Sequence, residues 1–357
     1  MKGHADMNRF ATNILAAALS VGGLVMGDNT ALTEAKNAKK DEFYTQRVDI
    51  ENELRHYKSH FKDKVVLCNC DDPRQSEFFK YFAENFEKLG LKRLIATCYK
   101  SQDVDLFSQR DCERAICQIY DGDKNGNMVV DDDEIGVREL KGDGDFRSAE
   151  CIEILKTADI VVTNPPFSLF REYVAQLMKY GKKFLIIGNQ NAITYKEIFP
   201  LLMHNKIWIG YRFGDMSFKV PADSEPRATR YWQDESGQKW RSMGNVCWFT
   251  NLDIKKRHES LPLYKKYSAA EFPTYDNYDA INVNKTADIP CDYDGVMGVP
   301  ITFMDKYNPE QFEIVNANDY RKSENVPIKS HGLIKDKEGA INGKPTYVRI
   351  LIRRKMK

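Results

Sequence analysis

An α/β fold with a mainly parallel sheet and helices on both faces is predicted by three observations. Strand-like and helix-like segments alternate from Asp41 to about Leu252. Strands such as KKFLIIGN (182–189) are apolar on both sides, which suits a buried parallel strand better than a half-exposed antiparallel one. One strand, ADIVVTN (158–164), runs straight into Pro165 and Pro166, which cannot donate to a sheet ladder. Open α/β sheets hold their ligands at such carboxyl ends.

In chain order, residues 1–40 form an extension that closes on the basic run KNAKK. Within it, NILAAALSVGGLVMG (13–27) superficially resembles a signal-peptide core. It is too short to span a bilayer and is preceded only by Lys2, Asp6 and Arg9 as charges, so an arm that packs on the body or on a ligand is the preferred reading. DEFYTQRVDIENELRHYKSHF (41–61) places Val48, Ile50, Leu54, Tyr57 and Phe61 near helical spacing. KVVLCNC (64–70) is a buried strand stopped by Asp71-Asp72-Pro73, and QSEFFKYFAENFEKLG (75–90) an amphipathic helix capped by Gly90. KRLIATCY (92–99) is the next strand. AICQIY (115–120) and NMVV (127–130) flank DGDKNG as a hairpin.

Ser148 to Thr157 is a short helix, and SLFREYVAQLMKYG (168–181) a longer one closed by Gly181. ITYKEIFPLLMHN (193–205) is helical but interrupted by Pro200. KIWIGYR (206–212) and NVCWFTNL (245–252) are further strands. From Asp253 to Lys357 the chain is rich in Tyr, Asn, Asp, Pro and Lys without a clear period, which predicts a loop-rich lobe. The organisation expected is 1–40 arm, 41–252 main domain and 253–357 lobe.

Composition excludes little but narrows the setting. A formal net charge of +1 neither demands nor forbids a polyanionic partner. The 8 cysteines form no CxxC pair and no Cys/His cluster, which argues against zinc and disulfides and suits a reducing cytoplasm. The six histidines show no paired spacing. Apart from residues 13–27, no segment is apolar for long enough to raise the question of a membrane.

Asn-Pro-Pro-Phe (164–167) can be simply a strand-ending turn. Its placement suggests chemistry. Two prolines fix φ and hold the loop rigid, so the Asn164 amide oxygen and the Pro165 carbonyl can face one space as paired acceptors. Such a pair suits an exocyclic amine, and Phe167 offers a face on which a base can stack.

These residues carry a family resemblance. Asn164, Pro165, Pro166 and Phe167 look like the catalytic motif of S-adenosylmethionine-dependent amino-methyltransferases. With DEFYTQ (41–46), VVLCNCDDPR (65–74), GDGDFRS (142–148), DIVVTNPPFSLFREY (159–173), KKFLIIGN (182–189) and YDNYDAINVNK (275–285), the chain resembles the EcoRI-type adenine-N6 DNA methyltransferases from Asp41 onward. The resemblance implies a Rossmann-like sheet, S-adenosylmethionine as methyl donor, and a target-recognition lobe at the C-terminus in γ-type motif order. By the same carry-over, Asp145 accepts from the donor's adenine amine and Phe146 packs on that ring. Phe43, Tyr44 and Thr45 line the donor's methionine end, and Asn69, Asp71 and Asp72 stand where the first strand turns toward it. Two departures stand out: the turn NCDDPRQS has no glycine, and the second strand ends TCYK with no acid.

The implied activity is methylation of a flipped adenine in a short duplex DNA site, possibly GAATTC-like, by a solo methylase or the modification half of a restriction-modification system. The implied partners are double-stranded DNA and a cognate endonuclease. Protein glutamine or RNA as substrate, and a non-catalytic DNA-binding descendant, are the alternatives.

Two further patterns carry weaker signals. DGDKNGNMVVDD (121–132) has Asp121, Asp123, Asn125 and Gly126 at calcium-loop offsets, but position twelve is Asp132 and the flanks are strand-like, so a hairpin turn is expected. RATRYW (227–232), KWR (239–241), KKRH (255–258) and RILIRRKMK (349–357) are basic groups with interleaved aromatics, as in a phosphate-tracking surface.

Overall fold

The computed structural model describes residues 44–100, 114–220, 228–315 and 332–355. The arm 1–40 and Phe43 therefore lie outside the described residues. The described chain groups into two compact units, one spanning residues up to Asn189 plus Gly210–Leu252, the other Gln190–Ile209 plus Asp253 onward. The second unit is thus discontinuous in sequence.

The first unit is built on a ten-stranded sheet. Its elements run β1 (Tyr44–Thr45), α1 (Arg47–Leu54), β2 (Val65–Asn69), α2 (Glu77–Glu84), α3 (Phe86–Leu89) and β3 (Arg93–Thr97). Next come β4 (Ile116–Tyr120), β5 (Ile135–Glu139), α4 (Ala149–Thr157), β6 (Ile160–Thr163), α5 (Phe170–Lys179) and β7 (Lys183–Asn189). After α6 (Phe199–Met203) of the second unit, the chain makes β8 (Trp208–Lys219), β9 (Tyr231–Gln233) and β10 (Lys239–Thr250).

The strand order is β1-β8-β10-β7-β6-β2-β3-β4-β5, with β9 beside β10. Only β7, β6, β2 and β3 are mutually parallel, while β10 joins β7, and β4 joins β3, in antiparallel fashion. The sheet is therefore mixed, parallel at its centre and antiparallel on both wings. The apolar runs identified the parallel centre because both faces of those strands are covered, a feature that the antiparallel β10 shares over Val246–Thr250.

Helices lie on both faces. Trp248 and Phe249 are consecutive on β10, so their side chains point to opposite sides. Phe78 of α2 packs against Trp248 at 6.0 Å between ring centroids, and Phe170 of α5 against Phe249 at 5.0 Å. α5 buries Phe170, Tyr173, Val174 and Leu177, the i, i+3, i+4, i+7 stripe of a helix with one apolar face.

Several local expectations change. The 41–61 segment gives a two-residue strand and then α1, and Val48 on it is exposed. The 75–90 helix breaks at Asn85 into α2 and α3, ending at Gly90 in the left-handed region (φ 64°). The second hairpin strand is not NMVV but β5, and Pro200 sits at the first turn of α6 rather than interrupting a helix. The described cysteines Cys68, Cys70, Cys117, Cys151, Cys247 and Cys291 are free thiols, but Cys98 is disulfide-bonded. Sequence spacing misses such a bridge because it depends on distance in space.

The second unit is a five-stranded sheet of β11 (Ile281–Asn282), β12 (Met297–Val299), β13 (Phe312–Ile314), β14 (Leu333–Ile334) and, after the hairpin β15 (Ala340–Ile341) and β16 (Lys344–Pro345), β17 (Arg349–Arg354). β17 pairs with β12, β13 and β14 and buries Ile350, Leu351 and Ile352 completely. RILIRR is thus the unit's central strand, a correction to its reading as a basic surface. The aliphatic run Ile350–Ile352 between the arginines was overlooked beside the charge. Among the described residues no helix is long and apolar enough to cross a membrane.

Candidate active site

The carboxyl ends of the parallel strands gather three of the segments singled out in the sequence. β2 delivers Asn69, which is 8% exposed, and β6 delivers Asn164, which is 7% exposed. Two hydrogen bonds tie these strand ends together: the Thr163 hydroxyl donates to the Asn69 carbonyl, and the Tyr173 hydroxyl donates to Asn69 Oδ1. Burial holds the Tyr173 hydroxyl well above its usual pKa, with Cys70 beside it, so it remains a donor.

Asn164 leaves β6 directly into Pro165, itself buried. Phe167 then opens a short turn in which the Leu169 amide donates to the Pro166 carbonyl at 3.0 Å, and α5 follows. The loop is anchored at one end by the sheet and at the other by α5. That rigidity is what two prolines were expected to provide.

GDGDFRS joins the same edge. At Gly144 (φ 80°) a Cβ would collide with the Cys98 carbonyl, so only glycine fits there. Lys100 donates its amide to the Asp143 carbonyl at 2.6 Å, which fastens the loop to the end of β3. Phe146 meets Tyr173 edge-on at 5.0 Å, and Gln176 donates to the Phe146 carbonyl at 2.9 Å. Tyr173 is therefore the node of the site, one group touching the first strand and the GDGDF loop. Nothing in the sequence reading singled it out, nor Thr163, Gln176 or Arg147. The signal was a hydroxyl-bearing aromatic on the inward stripe of the helix that follows the proline loop.

The predicted acids are held by neighbouring arginines. Asp72 receives the Arg74 guanidinium (Nη2 at 2.8 Å) and backbone amide (3.0 Å). Asp145 receives Arg147 Nε at 2.9 Å and Nη2 at 2.7 Å, and Arg147 also lies over Phe146. Burial pushes the Asp145 carboxyl up, but hydrogen bonds from Arg147 outweigh it and hold the carboxyl below its usual range. Asp71 accepts from the Ser76 hydroxyl at 3.3 Å. The glycine-free turn is met by Cys70, which takes φ 85°, the left-handed conformation a glycine would favour.

Other segments stand apart. Thr45 lies on β1, at the far edge of the sheet and against α2. It is 2% exposed, and its Oγ1 is buried with no hydrogen-bond partner among the described residues. Tyr44 pairs through its backbone with Lys219. In the second unit, YDNYDAINVNK is structural: Tyr275 donates to Asn282 Oδ1 at 2.8 Å, and Asp276 accepts the amides of Asn342 and Gly343.

The loop after β4 uses its oxygens on itself. Asp123 accepts from the amides of Gly126 and Met128, Asp131 from the side chains of Asn125 and Asn127, and Glu134 from the amides of Lys124 and Asn125. No group of three or more His, Cys, Asp or Glu among the described residues is placed to hold a metal. Of the basic groups, KKRH is tied within its unit: Lys256 to Asp305, Arg257 to Asn205 and over Trp208, His258 to Asp253 and Glu310.

The family model "Adenine-specific methyltransferase EcoRI" matches residues 31–355. The chain belongs to this family. It is 53% identical over 331 residues to the Type II methyltransferase M.EcoRI of Escherichia coli, covering 92% of this chain and 97% of that one. It is 38% identical to M.MgeORF184P of Mycoplasma genitalium and 36% identical to M.MpnI of Mycoplasma pneumoniae, each match covering 90% of this chain and 97% of the relative. No solved structure gives a significant match. Within the EcoRI methylase family, the Asn164 loop, the GDGDF loop and the first strand end are the three parts that the chain folds onto one edge.

Proposed function

We propose that this chain is a site-specific DNA methyltransferase that transfers a methyl group from S-adenosylmethionine to the N6 amine of an adenine turned out of a short duplex site. The observation that carries the reading is Asn164, buried at the carboxyl end of β6 and tied through Thr163 to the end of β2.

The residues present fit the methyl donor. Thr45 packs against α2, the helix that follows the Cys70 turn, and its buried hydroxyl has no partner among the described residues, which a bound polar ligand accounts for. Asp72 and Asp145 each take four hydrogen bonds from one arginine, so the donor's polar groups would share carboxylates that are already fixed in place. Thr45, with Phe43 and Tyr44 beside it in sequence, would hold the methionine end; Asn69, Asp71 and Asp72 would meet the donor at the first strand; Asp145 would accept from its adenine and Phe146 pack on that ring. When bound, S-adenosylmethionine supplies an electrophilic methyl carbon on a sulfonium.

The chain's own part is positioning. Asn164 Oδ1 and the Pro165 carbonyl accept the two hydrogens of the target amine, and Phe167 supports the base. Neither acceptor is basic enough to remove a proton, so the amine would attack while neutral, the N–C bond forming as the donor's C–S bond breaks and its thioether leaves, with the extra proton on nitrogen then passing to solvent. The second unit takes the recognition role, and the enzyme works in the cytoplasm on DNA, alone or beside an endonuclease that cuts the same site.

Tritiated methyl donor offered separately with duplex DNA, RNA and protein tests the substrate class. Modification-sensitive sequencing of DNA from cells expressing the chain then gives the site, GAATTC being the first candidate. Label in RNA or protein but not DNA overturns the reading.

A further inference from the structure

β10 is longer than β7, its neighbour toward the parallel strands. Its residues Val246–Thr250 pair with β7, and Val246 lies opposite Asn189, the last residue of β7. Residues 239–245 continue past that point, and β7 runs parallel to β6, so they overhang the edge on which Asn164 stands. Six residues separate Val246 from Trp240, about 20 Å of strand at 3.3 Å per residue. The end of β8 travels with this extension, since the Val220 amide donates to the Lys239 carbonyl at 3.1 Å, and β9 closes its outer side. The catalytic unit therefore carries an arm that extends past its own active edge, packed on its β8 side through Met216 and Phe218 and exposed on its β9 side at Trp232.

The arm displays tryptophan. Trp232 and Trp240 are directly opposed across β9 and β10, with rings 5° from parallel and centroids 6.2 Å apart. Trp240 is fixed by Nε1 donating to Asp234 at 2.7 Å, and Asp234 also locks the turn by accepting from Ser236 and Gln238. Trp232 is 42% exposed and stacks on that fixed neighbour. The Lys219 ammonium lies 5.8 Å from the Trp240 ring, so the face also carries positive charge. KKRH and RILIRR are bound up in the second unit, whereas Tyr231-Trp232 and KWR meet across β9 and β10, with Arg230 paired to Asp215 and Trp232 exposed.

We infer that Trp232, braced by Trp240, stacks on the bases next to the flipped adenine and holds the opened duplex while the amine is methylated. This rests on the DNA-methyltransferase reading above. An exposed indole on a rigid ribbon has the apolar area and flat face that an unstacked base step requires. Lys219 adds attraction for the phosphates alongside. Trp232 is a positioning residue, since it acts on the duplex and not on the transferred methyl.

The test compares wild type, Trp232→Ala and Trp232→Phe on two duplexes carrying the mapped site. One duplex is fully matched. The other has an abasic position opposite the target adenine, which is then already unpaired. The expected result is a loss for Trp232→Ala of about ten- to a hundred-fold in kcat/KM on the matched duplex. On the abasic duplex the loss is under about three-fold, with Trp232→Phe near wild type on both. 2-Aminopurine in place of the target adenine brightens with wild type and stays dim with Trp232→Ala. Equal losses on both duplexes, or no loss on either, overturn the inference; unchanged binding of S-adenosylmethionine shows that Trp232→Ala is folded. Wild type that methylates neither duplex points to failure of the underlying reading instead.

Discussion

Asn164 leaves the sheet where β6 ends, whereas Arg349–Arg354 stays inside a sheet along its whole length. Both stretches stand out in the sequence, one for its prolines and one for its charges. At the end of β6 the ladder has stopped, so a polar side chain is positioned by the strand without being consumed by it. In β17 the three middle residues are core, and the arginines that flank them are bound locally: Arg349 donates to Asn282, Arg353 pairs with Glu313, and Arg354 donates to the Cys291 carbonyl. Position relative to the ladder, more than residue type, separates a site from a scaffold.

Substitutions on the two sides should fail in different ways. The largest effect on stability belongs to β17. Leu351→Ala should cost about 2–5 kcal/mol, read as a fall in denaturant midpoint, because a fully buried side chain is removed. Asn164→Ala should leave the melting temperature nearly unchanged and lower methyl transfer by about 10²–10³-fold, as removal of one positioned polar group from an active site does. If Asn164→Ala unfolds the chain and Leu351→Ala only slows it, the contrast drawn here is wrong.

Tyr173→Phe lies between these extremes. It removes the hydroxyl that caps Asn69 Oδ1 in a buried place, with an expected cost of about 1–3 kcal/mol and weaker binding of S-adenosylmethionine by calorimetry. Loss of stability with unchanged binding would place Tyr173 in the scaffold alone.

The smallest effect is electrostatic. Hydrogen bonds that the protonated His258 donates to Asp253 and then Glu310 raise its pKa above the ordinary imidazole value. The stabilisation is fully present below the unfolded value and lost as pH rises through the folded one. His258→Gln should therefore lie below wild type in melting temperature at about pH 6, and the gap should close toward about pH 9. A constant gap would mean that His258 contributes by packing.

Periodicity alone made the parallel centre legible. FLIIG and IVV read as buried strands because both their faces are apolar, and α5 because its stripe repeats every three to four residues. The wings were harder, since antiparallel strands such as β5 are mostly exposed and mark themselves weakly: its pattern has one half-buried residue and four exposed. The same weakness placed the hairpin's second strand at NMVV instead of Ile135–Glu139.

The sequence by itself determined which chemistry stands at the end of β6, because Asn-Pro-Pro-Phe is a contiguous motif whose rigidity is local and covalent. It also marked GDGDFRS, through its resemblance to the family motif, as a second part of the site. Tertiary structure decided what those motifs meet. Tyr173 reaches Asn69 across 104 residues, Gly144 abuts Cys98, and β10 outruns β7 to carry Trp232 past the active edge. Such contacts join segments distant in the chain, and strand length relative to a neighbour exists only once the register is set. A single chain read residue by residue holds neither, since both are properties of pairs.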